Sequence, residues 1–450
     1  MQRKRIFWSM KTVHYLSFLL GLCILIQAKV IAKEEVNIHL SKKADTWYVT
    51  YTTNTLADRI AFISNPDDAR TKRWKSTNDE FEVVYDNKQE FIQKKDGKAF
   101  SRVQLTLTPT YTHLPKSYAP FAPYSDGGAL IHTGRLFACM NRCDEDANGG
   151  QLQVEVEDNT HIIANGKIYQ QSANWKGYDD GQYVYIGRQS PIEEDTFIAV
   201  VDANLPEKIK IPLNQSLPKI MAFFESHLGK YSSNVKPMLF ASYSNTSGQD
   251  IQGGVLPNQV FIHWNMKNLN ERLKDEDFIT ATLWTFAHEA AHFYQNSPLL
   301  GKDKSESWIH EGNAEWLAAI ALRELYPEIS ESFIAKKWDE AKASCIDVLI
   351  SYRLADAADK GKYRPYYQCG MIIHSIIDKK TRELSQGKYT IFDVWKDFKN
   401  INRSADKNDT EYFWAATDKY IPSDVKLGLK QLIKDRLASP SRHIDHLESL

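Results

Sequence analysis

Two histidines four positions apart, His288 and His292, bracket Glu289 in the run Thr285-Phe286-Ala287-His288-Glu289-Ala290-Ala291-His292-Phe293-Tyr294. On a helix, residues i and i+4 share a face, so both imidazoles can reach one ion. Glu289 borders the same face, where a carboxylate can take a proton from water. Catalytic zinc sites usually add a third protein ligand and keep one position open. Glu311 offers that donor within Trp308-Ile309-His310-Glu311-Gly312-Asn313-Ala314-Glu315-Trp316, with eighteen residues between it and His292. The interval lets one helix end, a loop turn and a second helix pack against the first. Glu315, one turn further on, is placed to accept the second N–H of His288 or His292. The expectation is one zinc ion held by His288, His292 and Glu311, with Glu289 as general base. Two His and one Glu suit zinc best, although other divalent ions occupy such sites. The rival is a chance His-Glu-x-x-His on an amphipathic helix, and a Glu at this spacing weighs against it.

These residues need helices to position them. The first is expected from about Asp275 to Gln295. Asp275, Glu276 and Asp277 suit the positive end of its dipole, Phe278, Leu283, Phe286, Ala287 and Ala290 form its buried side, and Asn296-Ser297-Pro298 is its stop. A second helix starts near Ser305 or Ser307, either a possible N-cap, and runs through Leu317, Ile320 and Leu325. Beyond it the pattern stays helical over Ile334–Leu349, Tyr366–Glu383, Ile391–Phe398 and Val425–Leu437, with Ser439–Leu450 as a loose tail.

Upstream the period changes. Val36–Leu40, Trp47–Tyr51, Phe81–Tyr85, Val103–Leu107, Leu152–Val156 and Tyr183–Ile186 alternate apolar and polar residues between Gly, Asn, Asp and Pro clusters. Pro115–Gly128, rich in Pro, Tyr and Ser, reads as a long surface loop, with aromatics that line a cleft as the weaker alternative. From Phe197 strands and helices mix: Phe197–Val201, a helix over Ser216–Tyr231, Pro237–Ser242, a polar turn over Ser244–Gly254, and Val260–Trp264. The expectation is an α+β chain, with an N-terminal antiparallel β-sandwich or saddle over residues 33–196 and a second domain over 197–450 whose later half is mostly helical.

Length and composition are those of an ordinary globular protein of two or three domains. The formal net charge is −1, and no basic run occurs beyond the N-terminus, which excludes a nucleic-acid binder. Residues 1–32 read as a secretory signal peptide. Arg3, Lys4, Arg5 and Lys11 are basic, Leu16–Ile26 is apolar, and Ala28 and Ala32 offer cleavage sites. The apolar run is about half of what spans a bilayer, so cleavage is expected over retention as an anchor, and no membrane span remains. Cys23 follows Leu22, not a small residue, so lipidation is not expected. Cleavage removes five positive charges and leaves about −6 (−1 minus 5). The protein is then exported, to a periplasmic or extracellular site. Four cysteines remain there, Cys139, Cys143, Cys345 and Cys369, and proximity favours Cys139–Cys143 and Cys345–Cys369 among three disulfide pairings. A metal site built on Cys139 and Cys143 is the weaker reading.

His-Glu-Ala-Ala-His, eighteen residues, then Glu within Trp-Ile-His-Glu-Gly-Asn-Ala-Glu resembles the aminopeptidase N-like gluzincin metallopeptidases. The resemblance covers about residues 197–435 and implies a thermolysin-like zincin domain. Tyr367-Gln368-Cys369-Gly370 resembles the family's Tyr-x-x-Gly stretch, which implies that Tyr367 donates to the oxyanion of the tetrahedral intermediate. Without the resemblance, Tyr366 and Tyr367 read as core or cleft-wall aromatics. Gly253-Gly254-Val255-Leu256-Pro257-Asn258 stands where the family has an edge strand with Gly-x-Met-Glu-Asn. Leu256 or Pro257 takes the place of the Glu that binds a free α-amine, which points away from strict amino-terminal specificity. The large C-terminal helical domain of many members has no counterpart. The expected function is zinc-dependent hydrolysis of peptide or protein substrates. The alternatives are an endopeptidase or specialised hydrolase, and a catalytically silent zinc-containing binding protein.

Overall fold

The computed structural model describes residues 35–65, 67–114, 117–295, 304–401 and 408–450. Residues 1–32, expected to be a signal peptide, and the expected stop at Asn296-Ser297-Pro298 lie outside the described residues. The chain is mixed α+β, with a β-rich N-terminal part and a mostly helical C-terminal half.

Three sheets build the N-terminal part. A six-stranded sheet runs in the order Ser172–Gly177, Gly150–Val156, Val36–Lys43, Thr46–Ala57, Phe100–Leu107, Trp74–Ser76. A four-stranded sheet holds Phe81–Asp86. A five-stranded sheet holds Phe121–Pro123, Ala129–His132, His161–Ala164, Lys167–Gln170 and Tyr183–Gly187. Pairing is antiparallel except between Val36–Lys43 and Gly150–Val156, which run parallel. The alternating apolar residues of all three sheets, among them Ile38, Val49, Ile92, Leu105, Ile131 and Val184, meet in one core. The other face of the five-stranded sheet, through Leu130, Ile163, Tyr183 and Tyr185, packs on Ile198, Val200, Phe240 and Phe261. Burial on both faces explains why Ala129–His132 and Tyr183–Gly187 are buried at every position.

Those partners belong to a second five-stranded sheet, ordered Ile192–Glu193, Ile198–Val201, Met238–Ser244, Gln259–Met266, Gln249–Leu256. Its middle strands are parallel, and Gln249–Leu256 is an antiparallel edge strand. The polar turn expected over Ser244–Gly254 is therefore corrected. The glycines and Gln249, Asp250 and Gln252 carry no strand signal, yet pairing with Gln259–Met266 satisfies their backbone.

Helices cover the far side of this sheet: α1 (Glu207–Leu228), α2 (Asp277–Gln295), α3 (Ser307–Leu325), α4 (Pro327–Ser351), α5 (Arg364–Ser385), α6 (Ile391–Asn400), α7 (Asp409–Thr417), α8 (Ser423–Lys434) and α9 (Pro440–Ser449). They share a core with the sheet that includes Leu217, Trp264, Phe286, Leu317 and Ile373. The expected loose tail is α9, held because Ile444 and Leu447 lie three apart on one face and are both buried. Neither Ser305 nor Ser307 caps α3. Glu306 takes the N-cap position with no side-chain bond there, and its carboxylate instead accepts from Asp409 N (3.3 Å) and Thr410 N (2.7 Å) at the start of α7. Both disulfides are formed, Cys139–Cys143 and Cys345–Cys369. No described helix is long and apolar enough to cross a membrane.

Candidate metal centre

One face of α2 is apolar, and its Leu283, Phe286, Ala287, Ala290 and Ala291 are buried in the core. That burial turns the face bearing His288, Glu289 and His292 toward α3. One donor atom from each of these three residues lies within 4.8 Å of the others. From α3, Glu311 Oε2 reaches 3.3 Å from His288 Nε2 and 3.2 Å from His292 Nε2, and the two Nε2 atoms are 3.2 Å apart. Bonds of about 2.0–2.1 Å directed to tetrahedral corners place neighbouring donors about 3.3 Å apart. The triangle of His288, His292 and Glu311 thus has the size that a zinc ion requires.

The charge of the site agrees. Burial alone pushes the His288 imidazole down, but the carboxylates of Glu311, Glu315 and Glu289 outweigh it and raise its pKa to about 9. His292 is raised for the same reason, mainly by Glu311 against burial. Burial pushes Glu311 up, and the two imidazoles outweigh it and hold the carboxylate well below its usual range. Burial raises Glu289, with the histidines opposing. The carboxylates around the two imidazoles thus make the cluster one that favours positive charge.

Outer partners hold each ring. Glu315 Oε1 stands 3.4 Å from His288 Nδ1, close enough for ion pairing but not aligned as a hydrogen bond, and its Oε2 accepts from Trp284 Nε1 at 2.8 Å. His292 Nδ1 lies 2.7 Å from Gln295 Oε1. Spacing marked Glu315 from the sequence. Gln295 was missed, although its place at i+3 from His292 is itself a helical contact signal.

Tyr367 arrives on α5. Helices α3 and α5 cross where Gly312 meets Gly370, so closely that a Cβ on Gly312 would stand 2.3 Å from Gly370 Cα. Only glycines permit that approach, and it brings Tyr367, three residues before Gly370, against the residue before Gly312. The Tyr367 ring stacks on His288 with centroids 5.7 Å apart, which sets its hydroxyl close to the Glu311 and Glu289 carboxylates. Burial raises its pKa, and Glu311 and Glu289 add to the rise. Its neighbour Tyr366 is buried in the core, where its hydroxyl accepts from Ala358 N at 3.0 Å. Cys345–Cys369 ties α5 to α4.

Beside α2 runs the edge strand. A Cβ on Gly253 would lie 3.8 Å from Thr285 Cγ2, one turn before Glu289. On Gly254 a Cβ would strike Tyr118 at 2.5 Å from its hydroxyl. Tyr118 packs on Phe261, donates to Val255 O at 3.1 Å, and has its pKa raised to about 12 by burial and by Glu289 and Glu311. The segment around it is fixed by Gln252, which accepts from Ala119 N (3.0 Å) and donates to Ser117 O (3.2 Å). Tyr118 belongs to the aromatic stretch Pro115–Gly128, whose partner strand lies far away in the chain. It fits the weaker expectation for that stretch, cleft lining, and the surface-loop expectation is corrected, since Phe121–Pro123 is a strand and Ala119, Phe121 and Tyr124 are buried.

Searches with protein-family models and among curated proteins return no match for this chain. Solved structures do. An aminopeptidase N family protein from Idiomarina loihiensis superposes with a TM-score of 0.59 at 11% identity, over 91% of this chain and 78% of that one. An M1 zinc metallopeptidase from Deinococcus radiodurans gives 0.48 at 13% identity, over 90% of this chain and 95% of that one. The first likeness shows the fold, a β-rich N-terminal part followed by a mixed sheet and a helical half.

Proposed function

We propose that the protein is a zinc-dependent hydrolase of peptide bonds, with His288, His292 and Glu311 as ligands of one ion. The observation that carries this reading is the donor triangle with sides of 3.2–3.3 Å beside the Glu289 carboxylate. Glu289 takes a proton from the attacking water and passes it to the leaving amine. Tyr367 donates a hydrogen bond to the oxyanion that forms on the scissile carbonyl. When bound, zinc supplies Lewis acidity that makes water a nucleophile near neutral pH. The substrate is a peptide or protein. The fold shared with the aminopeptidase N family protein supports the same class.

Assay of the purified protein on a peptide library, with and without chelator, tests this. Hydrolysis that chelator abolishes and added zinc restores supports it. Hydrolysis indifferent to chelator refutes it, and zinc binding without any cleavage would favour a silent zinc-containing binding protein.

One observation favours an endopeptidase or specialised hydrolase over a strict aminopeptidase. The edge strand Gln249–Leu256 ends in Gly-Gly-Val-Leu, with no carboxylate there to hold a free α-amine. Cleavage of an N-terminally blocked peptide distinguishes the two modes. We also infer two domains, residues 33–196 and 197–450, from their two large cores, which a third apolar cluster joins, and export after cleavage of residues 1–32, which suits two disulfides.

A further inference from the structure

We propose that Gln295 is the positioning residue that fixes His292 as an Nε2 ligand and locks it to the turn of α3 that carries Glu311. The inference rests on the zinc reading of the site. Gln295 is fully buried, and every polar atom of its side chain is engaged. Its Nε2 lies 2.9 Å from His310 O and 3.1 Å from Asn313 Oδ1. A main-chain carbonyl can only accept, so the atom facing His310 O must be the amide nitrogen. The orientation of the amide follows, and Oε1 faces His292 Nδ1 at 2.7 Å. That oxygen can only accept, so Nδ1 carries the hydrogen. A neutral His292 then keeps its lone pair on Nε2, the atom 3.2 Å from both Glu311 Oε2 and His288 Nε2.

The same amide sets distance as well as tautomer. His310 precedes Glu311 and Asn313 follows it by two, so one side chain joins the second histidine of α2 to the backbone that presents the carboxylate ligand. Its own main chain is held in turn, because Trp395 Nε1 donates to Gln295 O at 3.1 Å. The two histidines are therefore backed differently, His288 by the charged Glu315 and His292 by a neutral amide. A carboxylate at position 295 would face two acceptor oxygens, His310 O and Asn313 Oδ1, so the amide is required on both sides.

The test is the zinc affinity of the full chain, measured by competition with a chelator of known strength. Gln295→Met keeps the length and loses every polar contact. Its affinity should fall by about ten- to a hundred-fold, and the visible absorption of the cobalt-substituted protein should shift. Trp395→Phe, which cuts the bond to the main-chain carbonyl and trims a buried ring packed on His310 and Phe398, should lower the melting temperature and leave zinc affinity within about twofold of the parent. If Gln295→Met does not fold, Gln295→Asn, which draws the amide back by one methylene, carries the same expectation. Wild-type zinc affinity and cobalt spectrum in a folded Gln295 variant overturn the proposal, as does an equal loss in Trp395→Phe. Failure of the parent protein to bind zinc overturns the metal reading itself, and the two failures are told apart by that measurement.

Discussion

The helical wall of the site and the strand wall beside it follow different rules. On α2, α3 and α5 every candidate residue is set by spacing within a helix and by one close helix crossing. His288 and His292 are i and i+4, Glu311 and Glu315 likewise, and Gly312 against Gly370 delivers Tyr367. The strand wall has no such internal logic. Gln249–Leu256 carries two glycines, and its shape is completed by Ser117–Ala119, a segment more than 130 residues away in the chain, as the separation of 137 between Tyr118 and Val255 records. The helical wall offers donors, a base and a hydroxyl. The strand wall offers backbone and a phenol, with no carboxylate at its Gly-Gly-Val-Leu end. On the proposed reading, chemistry falls to the helical wall and substrate selection to the strand wall.

The largest test of that division is Glu289→Gln. It should lower kcat by about two to four orders of magnitude while zinc content, read by metal analysis, stays at the parent level. Retained activity would remove the base from the helical wall. Next, Tyr367→Phe should lower kcat by about a hundredfold with little change in KM, because its hydroxyl acts only when negative charge develops. A smaller effect comes from Gly312→Ala. The added methyl has no room against Gly370, so stability should drop by about 1–3 kcal/mol in denaturant melts, with activity falling as Tyr367 is displaced. The mildest is Tyr118→Phe, which removes one half-buried hydrogen bond to Val255 O and should cost about 0.5–1.5 kcal/mol. It should leave kcat within a few-fold. A loss of kcat comparable to that of Tyr367→Phe would break the comparison by moving Tyr118 into the chemistry.

Much of the fold is legible because its signals are local. The six strands expected between Val36 and Ile186 each fall within an observed strand, although Tyr183–Ile186 is buried on both faces and not in alternation. Helices α1 to α6 and α8 show their apolar stripes in the sequence, α1 only from Ser216 although it begins at Glu207, and α9 is expected as a loose tail, whereas α7 has no sequence signal. Its N-terminal N–H groups are met partly by Asn408 and partly by Glu306 from far upstream. The edge strand was missed for a related reason, since its polar and glycine residues become a strand only through pairing with Gln259–Met266.

By itself the sequence determined the identity and helical register of His288, Glu289, His292, Glu311 and Glu315, since a period of 3.6 residues converts spacing directly into a shared face. It also pointed to both cysteine pairs through their proximity. Only the tertiary structure decided what surrounds them. The orientation of the Gln295 amide, the contact between Gly312 and Gly370, and the seating of Tyr118 on Gly254 all join segments whose sequences carry no mark of one another. Such contacts arise when separate apolar surfaces are buried together, and burial depends on the shape of the whole core.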